Sequence, residues 1–133
     1  MKTHDVQSIE IAKPALKVFD FVADPKNLPK WTNAFAQADD QTAKLVTPDG
    51  TLPIKLDTNT NQELGTVDWR MTFPDGTVGT AYSRVTPNGD AGSIYSFTLM
   101  APPVPLEMLE GALAEQIKIL GEELIALKEM LEA

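Results

Sequence analysis

The stretch from Pro105 to Leu131 constrains everything before it. Leu106, Leu109, Leu113, Ile117, Leu120, Leu124, Leu127 and Leu131 all fall within about 40° of one line when residues are set at about 100° intervals. This spacing predicts one helix of about 40 Å at ~1.5 Å per residue. A compact chain of 133 residues has a radius of gyration of only about 14 Å, so such a helix crosses the whole domain and the rest of the chain must wrap it. Its apolar arc is also broad. Met108, Ala112, Ile119, Ala126 and Met130 make a second line beside the first, so nearly half the circumference wants cover. One sheet covers less than that, which leaves short helices, a bound ligand or a second subunit to supply the rest. Gln116 and Glu123 fall between the two lines, seven residues apart and on one face. Buried carboxylates are costly unless paired. Either Gln116 lines a cavity, or both residues edge a subunit interface; Glu123, nearer the overhanging end, is assigned to a rim.

Upstream, the period of the pattern is two. Val6–Ala12 reads as a first strand, with Ile9 and Ile11 on one face. Thr42–Thr47, Leu52–Thr58, Leu64–Phe73, Thr77–Thr86 and Ser93–Met100 read as further strands. Between them stand "TPDGT" at 47–51, "FPDGT" at 73–77 and "TPNGD" at 86–90. Pro-Asp-Gly and Asn-Gly supply the fixed and the positive φ values of tight hairpins, so the strands form an antiparallel meander. "APPVP" at 101–105 then stops the sheet before the long helix.

Between strand one and the meander lies "VFDFVADPKNLPKW", Val18 to Trp31. Pro14 fits the first position of a helix, and Ala15, Val18, Phe19 and Val22 form a short apolar stripe. Asp24 is a natural N-cap for a second, very short helix with Pro25 at its first position. Leu28 and Trp31 face inward from it.

This order, together with Ile11-Ala12, Pro14, Val18-Phe19, Asp24-Pro25 and Trp31, resembles the polyketide cyclase/dehydrase and lipid-transport superfamily, the group related to START domains and the birch-pollen allergen. The resemblance implies an α+β helix-grip fold over residues 1–133. A curved antiparallel sheet of about six strands, with two short helices after strand one, wraps a long C-terminal helix. It also implies a cavity between sheet and helix for an apolar or amphipathic small molecule of lipid, polyketide or aromatic type. No catalytic motif of an enzymatic branch can be placed on these residues.

The candidate ligand-binding residues follow from that cavity. Trp31 and Phe35 either lid its mouth or plug the open end of the sheet as core. Trp69 and Met71 share one inward strand face with Val67 and Phe73, and Tyr95 and Phe97 share another with Leu99. Tyr82 stands on a strand of undecided facing, because Gly79, Ala81 and Ser83 are equally tolerable inside. Leu113, Gln116, Ile117 and Leu120 are the helix's contribution. Asp68 and Arg70 point away from Trp69, toward cross-strand partners in solvent, and solvent is favoured for Arg84 over a cavity role. His4, the only histidine, is expected exposed at the start of strand one.

Composition excludes some functions. A formal net charge of −8 repels phosphate backbones, so no nucleic-acid partner is expected. Residues 104–133 hold seven glutamates against two lysines, a net of −5, which reads as one solvated helix face. No run suits a membrane span or the apolar core of a signal peptide. With no cysteine and a single histidine, neither a disulfide nor a metal site is expected. No cofactor is implied, and a cytoplasmic location fits. Three functions stay open: a small-molecule binder, a cyclase- or dehydratase-type enzyme in which Tyr82, Tyr95 or Gln116 polarises a carbonyl, and an interaction module forming a homodimer through the C-terminal helix.

Overall fold

A computed structural model describes residues 2–47, 50–102 and 106–133, with the backbone alone for 106–110. The chain runs β1 (His4–Ile11), α1 (Ala15–Ala23), a 3-10 turn at Pro25–Asn27, α2 (Leu28–Trp31), β2 (Phe35–Ala38), β3 (Thr42–Thr47), β4 (Gly50–Asn61), β5 (Thr66–Thr72), β6 (Val78–Pro87), β7 (Ser93–Met100) and α3 (Leu106–Glu132). All seven strands join one curled antiparallel sheet in the order β1-β7-β6-β5-β4-β3-β2. Seven replaces the expected six because Phe35–Ala38 adds a short edge strand with a register shift between Phe35 and Gln37. Four residues with two exposed carry too little alternation to be seen in sequence.

The break at Asp24 forms as its residues dictate. The Asp24 side chain accepts from the Lys26 N–H at 3.0 Å, and Pro25 opens the turn. Asn27 Nδ2 donates to the Phe21 carbonyl at 3.0 Å, satisfying one of the carbonyls that the end of α1 leaves open. Pro14 sits one residue earlier than expected, as the N-cap rather than the first helical residue. Val18, Phe19 and Val22 of α1 and Leu28 and Trp31 of α2 are buried in the core with Leu56, Val67 and Tyr95 of the sheet.

Of the apolar line on α3, Leu113, Leu120, Leu124 and Leu127 are buried. The side chains of Leu106, Met108 and Leu109, the Pro48–Asp49 turn and residues 103–105 lie outside the described residues. The helix is fastened by polar contacts as well. Gln7 Nε2 donates to the Ile117 carbonyl at 2.9 Å, Lys128 Nζ to the Glu10 carbonyl at 2.8 Å, and the Ala12 N–H to Glu132 Oε2 at 2.8 Å. A Cβ at Gly121 would stand 3.4 Å from Gln7 Oε1, the near edge of ordinary contact. The cover for the broad apolar arc is incomplete: Met130 remains exposed. Among the described residues no helix is long and apolar enough to cross a membrane.

Candidate functional site: a half-enclosed apolar cavity

The two short helices cover only part of the sheet's inner face. Along β7, Ser93 and Tyr95 are buried, while Phe97 and Leu99 farther along are only half-buried. At that uncovered end a cavity of about 480 Å³ remains between sheet, α2 and α3. This is well above the ~150 Å³ of a void that holds a benzene-sized guest.

The sheet wall is built by pairing large residues with small ones. On β5, Trp69 and Met71 face inward; opposite them on β6 stand Ala81 and Gly79. Aliphatic side chains at 79 and 81 would occupy much of this space. Phe97 stacks on Trp69 at 5.8 Å between ring centres, and the wholly buried Tyr95 meets Phe97 edge-on at 6.4 Å and Trp31 at 6.2 Å. Trp31 and Phe35 close the α2 side. Both indole nitrogens are shielded and unpaired among the described residues, so the tryptophans offer the cavity apolar ring surface rather than donors.

The helix wall carries the polarity. Gln116, Ile119, Leu120 and Glu123 all line the cavity, at the i, i+3, i+4, i+7 spacing of one helix face. Glu123 is not the rim residue expected from sequence. Half-buried, it lines the cavity, and its Oε2 accepts the Asn33 N–H at 2.6 Å. Burial raises its pKa above the ordinary value. The Asn33 and Ala34 N–H groups pull it down again, and neighbouring Glu122 pushes it up.

The sign of the consequence is fixed. The folded chain holds this proton more tightly than the unfolded chain, so ionising Glu123 costs stability. The cost is absent below the ordinary glutamate pKa and full above the raised one. Glu123→Gln should therefore gain on the native chain as pH rises from 4 to 7 in urea unfolding. A variant that loses ground over that range would show that the ionised carboxylate, through the Asn33 N–H, stabilises the fold.

The site expected from sequence is thus rearranged. Trp31, Phe35, Trp69, Met71, Phe97, Gln116 and Leu120 line the cavity; Tyr82, Tyr95, Leu113 and Ile117 do not. Tyr82 pairs across the sheet with Asp68 and points outward, 44% exposed. Tyr95 lies beneath the aromatic layer, fully enclosed, and burial drives its hydroxyl pKa far up. The Ser83 hydroxyl approaches it but donates to the Val67 carbonyl at 2.6 Å, and the Tyr95 hydroxyl has no partner of good geometry among the described residues. Neither tyrosine can polarise a carbonyl in the cavity as placed. Leu113 packs away from it, and Ile117 is turned one position round the helix. Arg84 lies on the solvent side, its Nε donating to the Leu64 carbonyl at 3.1 Å, and His4 is exposed. Asp68 accepts from the Ser83 N–H at 3.3 Å, and no ion pair with Arg70 forms among the described residues.

Comparison places this architecture among known ones. The structure of XoxI from Bacillus cereus is similar with a TM-score of 0.72 at 17% identity, over 98% of this chain and 96% of that one. A START superfamily protein from Mycobacterium smegmatis gives 0.71 at 15% identity, over 98% and 99%. The Zhui aromatase/cyclase from Streptomyces sp. R1128 gives 0.68 at 10% identity, over 97% and 93%. At such identities the likeness is one of fold. No protein of curated function matches the sequence. The family model described as polyketide cyclase / dehydrase and lipid transport matches residues 3–132. With nearly its whole length matched and the helix-grip fold in place, the chain belongs to the polyketide cyclase/dehydrase and lipid-transport family.

Proposed function

We propose that the protein binds an apolar or amphipathic small molecule in the cavity between sheet and α3. The observation that supports this most is the wall itself. A space of about 480 Å³ is faced by Trp69, Met71, Phe97 and Leu120 on its apolar sides, with Gln116 and Glu123 converging from one helix face. Small-molecule sites commonly have this make-up, mostly apolar with a few placed polar groups. The family and its aromatase/cyclase and START relatives agree with the reading at the level of class. Both tryptophans of the chain line the cavity, so their fluorescence reports its occupancy. The neutral probe N-phenyl-1-naphthylamine should quench it saturably at one probe per chain, with a Kd of about 10 µM or tighter. Linear, unsaturable quenching would remove this reading.

One observation supports a second reading, a cyclase- or dehydratase-type reaction. Glu123 is an ionisable group in the cavity wall with a raised pKa, and proton transfer to a confined carbonyl compound needs such a group. Binding remains the better-supported function, because Glu123 is engaged by the backbone of the α2–β2 link and no second titratable side chain among the described residues lines the cavity.

A further inference from the structure

The polar chemistry of the cavity has one sign. Its polar side chains come from the α2–β2 link and α3, Gln116 and Glu123 foremost; no lysine, arginine or histidine lines it among the described residues. Residues 103–110 have no basic member either, only Glu107 and Glu110 as charged residues. Among the described residues the single charge on the wall is therefore a carboxylate. That carboxylate has about four acceptor positions, and the Asn33 N–H engages one, with the Ala34 N–H close by. It retains acceptor capacity beside the cavity and, among the described residues, has no cation to neutralise it.

We infer that the cavity selects ligands whose polar end donates a hydrogen bond, a hydroxyl or an ammonium, and rejects carboxylates. This rests on the small-molecule reading above. A donor end completes the coordination of Glu123, with the Gln116 amide about 10 Å away along the same helix face at ~1.5 Å per residue. A carboxylate end would bury a second negative charge beside the first with no countercharge, which a half-enclosed apolar site penalises heavily. The chain's net charge of −8 opposes anions at longer range in the same sense.

The test uses three ligands of one chain length at pH 8, below their micelle concentrations: 1-dodecanol, dodecylammonium and dodecanoate, each followed by tryptophan quenching. Dodecanol and dodecylammonium should bind, and dodecanoate about tenfold more weakly or worse. The alcohol against the carboxylate is the deciding pair, because the acidic surface attracts any ammonium. Glu123→Gln, which changes the net charge by only one, should narrow that gap about tenfold, and Gln116→Lys should strengthen dodecanoate binding without touching the Asn33 contact. Dodecanoate binding as tightly as dodecanol to the native chain overturns the inference and leaves the binding reading standing. So does an unchanged gap in both variants. If none of the three ligands binds, the small-molecule reading falls and this inference with it.

Discussion

Gly65→Ala should cost about 3–5 kcal/mol, enough to leave much of the chain unfolded at room temperature. Gly65 ends the β4–β5 connection at φ +75°, a conformation that disfavours any Cβ. The larger penalty comes from β6. The Val85 N–H donates to the Gly65 carbonyl at 2.8 Å, and a Cβ at position 65 would stand 2.2 Å from the Val85 carbonyl oxygen. Both partners are backbone, so no side chain can swing aside. Relief requires β5 and β6 to part, and they carry the Trp69–Ala81 and Met71–Gly79 pairs of the cavity wall. Urea unfolding measures the loss. Gly76→Ala is the control: φ is +89° there, but a Cβ would meet nothing within 4 Å. It should cost only about 1–2 kcal/mol. Equal losses in the two variants would show that the Val85 contact adds nothing.

Ala81→Phe should weaken binding of a neutral apolar probe about a hundredfold, or 2.7–2.8 kcal/mol, while leaving the fold intact. Ala81 is buried on the inner face of β6, opposite Trp69 and Leu99, and borders the open space. A phenyl ring there enters the cavity instead of a packed core, so the overpacking penalty usual for such a change, about 1–3 kcal/mol, is largely avoided. The comparison of the Kd for N-phenyl-1-naphthylamine with the urea midpoint separates the two effects. Unchanged affinity with the ring in place would mean that the probe binds elsewhere.

The same residue shows where the sequence was legible and where it was not. The Asp24-Pro25 corner, the hairpins and the long helix are local: caps, turn dipeptides and a 3.6-residue period announce them, and they formed within a residue or two of expectation. The cavity is an absence of side chain, and hydrophobicity does not register absences. On β6 the apolar pattern alone could not choose between Val78, Thr80 and Tyr82 and the set Gly79, Ala81, Ser83 and Val85. The pairing chose the second, because Trp69 and Met71 face inward and each fixes its β6 partner to the same side. The run of small residues opposite bulky ones was the available signal for an enclosed space, and it excludes Tyr82.

On α3 the cavity side is not the leucine line but the edge next to it. Gln116 and Glu123, conspicuous as polar residues between two apolar lines, marked that edge. Assigning Glu123 to a rim followed from the desolvation cost of a carboxylate. The N–H groups of Asn33 and Ala34 offset that cost, and no property of the sequence around 33–34 foretells that these backbone donors converge on residue 123. Phe35 and Trp31 lie close in sequence to these donors, so the α2–β2 link both closes the cavity and holds Glu123, the only charged wall residue among those described.

Occupation of the space between sheet and helix by a small apolar molecule is read out by the two indole N–H resonances. Trp31 stands on the α2 wall and Trp69 on the sheet wall of the same cavity, and the chain has no other tryptophan. Titration with N-phenyl-1-naphthylamine, followed in 1H–15N spectra, should move both resonances along one saturation curve in the native chain and neither in Ala81→Phe. A probe that binds saturably while leaving both indole signals in place would occupy some other site, and the cavity would not be the binding site.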